Sequence, residues 1–289
     1  MPTADPRSGH FARRYFTRTQ HAGYRGVTGW GRPGPKLTSG MDLVDLHFHL
    51  LPGVDDGPGG LEESLDLARA ALHTGTGTVV ATPHVRPDLG IVDAREILER
   101  VREMRSALAA ARIPLTIRCG GELGHEMAFE LKPNELDLLA QGPAGARWLL
   151  LEAPFHGIGE DFHAATTELR ALGFGVMVAH PERSADAAFD GAAGLRRELA
   201  AGSKAQLNAL SLTGGHGPDA RRSAWELLHG GLVAVVASDA HGPSRPPALR
   251  MAHETLLDGG LAPSAANALV ATAPRELLAR GMRRAPVAA

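Results

Sequence analysis

Short apolar runs alternate with longer amphipathic stretches from residue 43 almost to the C-terminus. The runs read as buried strands, at Leu43–Leu46, Thr78–Thr82, Leu115–Cys119, Trp148–Leu151, Gly175–Ala179, Ala205–Asn208 and Val233–Ala237. Between them, the spacing predicts helices over 61–72, 94–111, 135–140 and 162–172, one ending over 195–201, and one over 220–229. In the first, Leu61, Leu65, Ala68 and Leu72 share a face, while Glu62, Glu63 and Asp66 load the opening turns. The remainder reads as helical, broken at Pro263 and Pro274.

Strand and helix alternate about seven times with short connections, which predicts a parallel sheet with helical crossovers. Such a sheet is either open and doubly wound or closed into a barrel. Polar residues decide between the two. In an open sheet, ligands gather at one switch point. Here six of the seven runs are followed directly by a candidate ligand. Only a closed barrel brings so many strand ends around one point, at its C-terminal face. The expectation is an α/β, distorted seven-stranded, TIM-like barrel with a metal site at that face.

Charge divides the chain. Residues 1–40 hold seven bases against Asp5 alone; the rest carries twenty-three bases and thirty-one acids. An acidic body argues against a nucleic-acid-binding surface across the main domain, while the basic arm could touch an anionic membrane or nucleic acid. The arm is Gly-, Pro- and Thr-rich without helical or strand period. It reads as a basic, disordered tail, or as sequence upstream of a start at Met41, dispensable for catalysis, with residues 41–289 as one domain. No apolar run reaches the roughly 18 residues of a membrane span, and the N-terminus has no apolar core of a secretory signal. One cysteine, Cys119, excludes an internal disulfide and fits a cytoplasmic location.

The strand-end residues are His47, His49, Asp56, His84, Glu122, Glu152, His180, Asp239 and His241. His47 and His49 stand at i and i+2, and an extended backbone places both on one face. Asp239 and His241 repeat that spacing. Singly, each has an ordinary explanation: His84 after Pro83 suits a turn. Glu152 ends the run Trp148–Leu151, where a buried carboxylate needs a partner. Together, four carboxylates and five imidazoles exceed the needs of one ion and accommodate two or three. Such centres suit phosphoryl transfer, because the ions activate water and neutralise the transferred group. Arg183, three residues after His180, is placed to hold phosphate oxygens.

Several motifs carry a resemblance: Asp45-x-His47-x-His49, Asp55-Asp56-Gly57, Thr82-Pro83-His84, Gly121-Glu122, Leu151-Glu152, His180-Pro181-Glu182-Arg183 and Ser238-Asp239-Ala240-His241. They resemble those of the polymerase-and-histidinol-phosphatase (PHP) superfamily. Residues 51–58, Asn208 with Ser211-Leu212-Thr213-Gly214, and Pro274-Arg275-Glu276-Leu277-Leu278 are similar to its bacterial capsule- and exopolysaccharide-associated protein-tyrosine phosphatases. The resemblance spans residues 41 to about 280. It implies a trinuclear centre, usually with Mn2+, though Mg2+, Fe or Zn2+ would fit the donors. It implies ligand sets of His47, His49, Glu122 and Asp239; of His84, His180 and the bridging Glu122; and of Asp56, Glu152 and His241. Arg183 would bind phosphate, and a metal-bridging hydroxide would be the nucleophile. The implied partner is a phosphotyrosine protein, an autophosphorylated bacterial tyrosine kinase that controls polysaccharide export.

Val85 departs from that branch, which often has a second histidine there. The short loop after His241 leaves the role of Arg245 open. The runner-up is a small-molecule phosphoesterase on the same scaffold, for histidinol phosphate or nucleotides. An amidohydrolase would add a bridging lysine, and Lys36, Lys132 and Lys204 stand at no strand end. A non-catalytic metal-binding regulator would be expected to have lost ligands. A cysteine phosphatase needs an arginine close behind the thiol, and none follows Cys119. No general acid stands out; His156 and His216 sit on loops. Composition and motifs leave the oligomeric state open.

Overall fold

The computed structural model describes residues 42–90 and 93–282. The basic arm expected over 1–40 lies outside the described residues. Among the described residues there are nine strands: β1 (Leu43–Phe48), β2 (Thr76–Ala81), β3 (His84–Val85), β4 (Thr116–Cys119), β5 (Glu122–Leu123), β6 (Trp148–Glu152), β7 (Gly175–Ala179), β8 (Lys204–Asn208) and β9 (Val235–Ala237). All pair in parallel, in a three-stranded sheet β1-β2-β4 and a six-stranded sheet β3-β5-β6-β7-β8-β9. This is an α/β fold with parallel sheets. No described helix is long and apolar enough to cross a membrane.

Two expected strands are present and each is followed, after a gap, by a further short strand that the pattern did not show. Thr78–Thr82 extends forward to Thr76, stops at Ala81 and resumes at His84. Pro83 has no N–H to give the ladder, so pairing lapses there. On the neighbouring strand the chain passes Gly120 and Gly121, where a Cβ at Gly120 would fall 2.5 Å from Val80. Gly120 N donates to Ala81 O and Glu122 N to Pro83 O, both at 2.9 Å, so the strands stay side by side across the gap. Beyond β9, an isolated parallel bridge joins Phe48 to Ala240. Asp239 N donates to His47 O and His49 N to Ala240 O, each at 2.9 Å. The first strand of one sheet thereby reaches the chain leaving the last strand of the other.

The longer helices fall where the periodicity places them: Leu61–His73, Ala94–Ala110, Glu160–Ala171, Ala193–Ala200 and Pro218–His229. Short helices over Met127–Glu130, Ala185–Phe189 and Ala209–Thr213 were not evident from spacing. The last begins at Asn208, whose side chain accepts from Leu210 N at 3.0 Å. The C-terminal segment is helical and broken ahead of Pro263, as expected: one helix ends at Asp258 and the next opens at Pro263. At Pro274 there is no break. A π turn over Ala268–Thr272 leads directly into Ala273–Arg280, and the wider turn relieves the clash that proline makes in a regular helix.

Val44, Leu46, Val80, Leu150, Met177 and Val235, from five strands, form one buried cluster. Trp148, Leu277 and Met282 join it. Trp148 Nε1 donates to Leu277 O at 3.1 Å, and Met282 N to Ala146 O at 2.9 Å. The C-terminal helix therefore packs at the starts of the strands, leaving their ends to polar residues. Away from those ends, Glu198 is buried and accepts bonds from His163 Nδ1 (2.6 Å), Thr166 (2.8 Å), Ser203 (2.8 Å) and Arg170 (2.9 Å).

Candidate metal centre

At the end of β1, His47 and His49 turn their Nε2 atoms toward each other, 3.1 Å apart. Each ring is fixed from behind: His47 Nδ1 lies 3.0 Å from Gln206 Oε1, and His49 Nδ1 2.7 Å from Asp55 Oδ2. Outward donation from Nδ1 leaves the lone pair of each Nε2 facing the other, as in metal-ligating histidines. Glu122 Oε2 stands 3.2 and 3.4 Å from these two nitrogens, and Asp239 Oδ1 3.3 and 3.4 Å. Donors about 2.1 Å from a central ion in tetrahedral array are about 3.4 Å from one another, so this spacing fits a cation.

Three donor groups form among the described residues: His47, His49, Glu122 and Asp239; His49, Asp56, His84 and His241; and His84, Glu122 and Glu152. The first coincides with the set the resemblance implies. His180 approaches Glu122 Oε1 at 2.8 Å through Nε2 and joins none of the three, while His84 Nδ1 approaches Oε2 at 3.1 Å. Glu152 gathers with His84 rather than with Asp56 and His241, and its Oε2 accepts from Arg86 at 2.7 Å. Glu122 Oε2, His84 Nδ1, His180 Nδ1 and His241 Nε2 are buried without a hydrogen-bond donor or acceptor matched to them. Orphaned polar atoms of this kind are costly unless something fills the space between them, so the donor set fits bound cations.

Electrostatics points the same way. Burial alone would lower the pKa of His47, but Glu122 and Asp239 outweigh it and push it up to about 9. His49 is raised well above its usual value against the same burial, through Asp239, Asp55 and Glu122. Burial would raise Glu122 and Asp239, yet the charge of His47 and its neighbours holds both far below the carboxylate range. Protons on imidazoles supply positive charge that ions supply in a loaded site.

The backbone is bent to serve these atoms. His180 and Asp239 both lie in the left-handed region, with φ of 33° and 53°. A Cβ on Gly57 would stand 3.1 Å from His49 Cβ, tighter than ordinary contact, so glycine eases the close passage of the Asp55–Asp56 loop. Arg183 Nη1 donates to Asp239 Oδ2 at 3.1 Å, not to Glu182, and its guanidinium stands 5.0 Å over the ring of Phe155. Glu182 instead accepts from Asn208 N and Ser211 Oγ. Arg245 Nη2 donates to Asp56 Oδ2 at 2.5 Å. His216 Nδ1 lies 3.0 Å from Ser211 Oγ, and burial together with Arg183 pushes its pKa down to about 3. Burial also pushes the Cys119 thiol up to about 11, which leaves it protonated at neutral pH.

The sequence assigned no role to Asp55, Gln206 or Arg86. Asp55 stands inside a quoted motif beside Asp56, and Asn208 stands in a quoted motif without a role at Asp239. For Gln206 and Arg86 the local pattern carried no signal, because each acts across the fold.

A parallel α/β scaffold with clustered imidazoles and carboxylates at the strand ends defines a metal-dependent hydrolase. Residues 43–279 match the family described as "Capsular polysaccharide synthesis, CpsB/CapC", and the chain belongs to it. The tyrosine-protein phosphatase YwqE of Bacillus subtilis is 28% identical over 199 residues, covering 69% of this chain and 77% of that protein. The tyrosine-protein phosphatase CpsB of Streptococcus pneumoniae is 28% identical over 222 residues, covering 74% and 89%. These relatives are phosphoric monoester hydrolases. A solved structure described as one of "YwqE from Bacillus subtilis and CpsB from Streptococcus pneumoniae, unique metal-dependent tyrosine phosphatases" matches with a TM-score of 0.70. It is 25% identical and covers 85% of this chain and 100% of that one. A phosphotriesterase homology protein from Escherichia coli, at TM-score 0.54 and 13% identity over 82% of this chain and 99% of its own, shares the fold alone.

Proposed function

We propose that the chain is a metal-dependent protein-tyrosine phosphatase. The observation that carries this reading is the convergence of His47 Nε2, His49 Nε2, Glu122 Oε2 and Asp239 Oδ1, with Arg183 at its edge. His84, Asp56, Glu152, His180 and His241 would complete two or three ion sites, with Mn2+ the expected ion. Bound there, the ions would supply Lewis-acid stabilisation of phosphoryl charge and would activate water. Gln206 and Asp55 hold two imidazoles in the tautomer that offers Nε2. Arg183 is the residue proposed to hold phosphoryl oxygens, since a guanidinium binds anions and never cations. Arg245, now on Asp56, is within reach of the same region.

The scaffold is proposed to be a distorted seven-stranded barrel. Taking β2 with β3 and β4 with β5 as two interrupted strands, the Phe48–Ala240 bridge supports that reading. Residues 41–289 would carry the whole activity in the cytoplasm. The natural substrate would be a phosphotyrosine protein, proposed to be the autophosphorylated tyrosine kinase of a polysaccharide export system; the family's description, capsular polysaccharide synthesis, supports the setting. The test is phosphate release from a phosphotyrosine peptide and from histidinol phosphate by metal-loaded protein, with metal content measured on the same sample. Preference for histidinol phosphate would point instead to a small-molecule phosphoesterase.

A further inference from the structure

We infer that Phe155 selects the substrate: its ring forms the wall against which the phenyl ring of a phosphotyrosine side chain is seated. This rests on the phosphatase reading above. Phe155 lies three residues beyond Glu152 and is 53% exposed; among the described large apolar side chains only Phe129 is more exposed. A phenyl ring left in water forgoes a large part of the stabilisation that burial gives it. The backbone around it is pinned: Ala185 N donates to Phe155 O at 2.9 Å, and Gly157 N to Pro154 O at 3.1 Å. The segment that carries the ring is therefore held before any ligand arrives.

Its neighbour gives it meaning. The Arg183 guanidinium stands 5.0 Å over the ring centroid and reaches Asp239 Oδ2 at 3.1 Å. Asp239 Oδ1 in turn lies 3.3 Å from His47 Nε2. Apolar wall, anion-binding arginine and ion-binding donors thus follow one another without a gap. In an aryl phosphate the ring begins one ester oxygen from phosphorus. A phosphoryl group held at Arg183 would bring that ring alongside Phe155, where aromatic pairs add attraction beyond the area they bury. A serine phosphate offers only a methylene there. Arg183 covers one part of the Phe155 ring, and the exposed remainder is what the substrate would meet.

The test separates the ring from the phosphate. Binding of phenylphosphonate and of methylphosphonate to metal-loaded protein is measured by calorimetry for the native chain, Phe155→Ala and Phe155→Leu. The native chain should favour phenylphosphonate, and Phe155→Ala should weaken it about tenfold while leaving methylphosphonate within about twofold. Phe155→Leu should fall between. On a phosphotyrosine peptide, Phe155→Ala should raise KM about tenfold, with little change in kcat. Equal losses for both phosphonates would overturn the inference, because Phe155 would then act only by steadying Arg183. No loss for either, or no preference in the native chain, would overturn it as well. A native chain that favours phenylphosphonate but releases no phosphate from the peptide would leave the wall standing and remove the phosphatase reading instead.

Discussion

Asp239 divides its carboxylate between two tasks: Oδ1 lies 3.3 Å from His47 Nε2 among the ion-type donors, and Oδ2 accepts from Arg183 Nη1 at 3.1 Å. Asn208 Nδ2 also donates to Oδ2, at 2.9 Å. The two oxygens mark the border between where cations are held and where an anion is received.

Arg183→Ala should therefore lower kcat about 10²- to 10³-fold while bound metal stays near its native level, the loss typical of removing one preorganised charge-stabilising donor. His180→Ala should instead lower bound metal. Kinetics and metal stoichiometry on both variants check this. Equal metal loss in the two would remove the phosphate role of Arg183.

Activity should depend on ions and not on sulfur. Exhaustive chelation should abolish phosphate release, and Mn2+ should restore it. Cys119→Ser and alkylation should leave turnover within about twofold, because a thiol pushed up to about 11 supplies no thiolate at neutral pH. Complete inactivation of a folded, metal-loaded Cys119→Ser protein would contradict the mechanism.

Metal loading should be proton-coupled. In the metal-free chain His47 titrates near 9 and His49 is raised as well, so entering cations must displace protons. Affinity should rise with pH up to about 9. The linked stability runs the other way. A folded pKa above the usual 6.5 stabilises the metal-free chain below about 6.5, and that share is lost as pH rises through about 9. Adding Mn2+ at pH 7 in weak buffer should acidify the solution; an unchanged pH would count against the assignment.

Glu198→Ala should destabilise the fold by about 3–5 kcal/mol, because it strands Arg170 and three further donors in a largely buried network. Hydrogen bonds from His163, Arg170, Ser203 and Thr166 outweigh burial and hold the Glu198 carboxyl below its usual value. Its share of stability is present above about pH 4.5 and lost as pH falls through the folded value. Urea midpoints from pH 7 downward check both points; turnover per folded molecule should not change.

A chain beginning at Met41 should keep native turnover, since the family match begins at residue 43. Loss of most activity in a folded protein of that length would assign the arm a share in the site.

Much of this was legible because each donor follows an apolar run closely, as Glu152 follows Trp148–Leu151. The short strands His84–Val85 and Glu122–Leu123 were not legible, since two residues beyond Pro83 and beyond Gly120-Gly121 are too few to show a period. The grouping of donors was less legible than their identity. Arg86 takes an oxygen of Glu152, and Gln206 turns His47 from 159 positions away. Such pairings are set by which strands meet, and no local spacing encodes them. Phe155 was silent for a related reason: a single aromatic in a short loop belongs to no period.

The left-handed backbone at His180 and Asp239 ties heat tolerance to metal capture. A side chain held there costs about 1–3 kcal/mol that glycine would avoid. Glycine would relieve that strain, but at Asp239 it would strand Arg183 and Asn208, and at His180 it would leave Glu122 Oε1 without its partner. The strain is locked in by the same bonds that aim the donors. A library of this chain sorted for thermal survival alone should therefore keep both side chains, and with them the means of capturing ions.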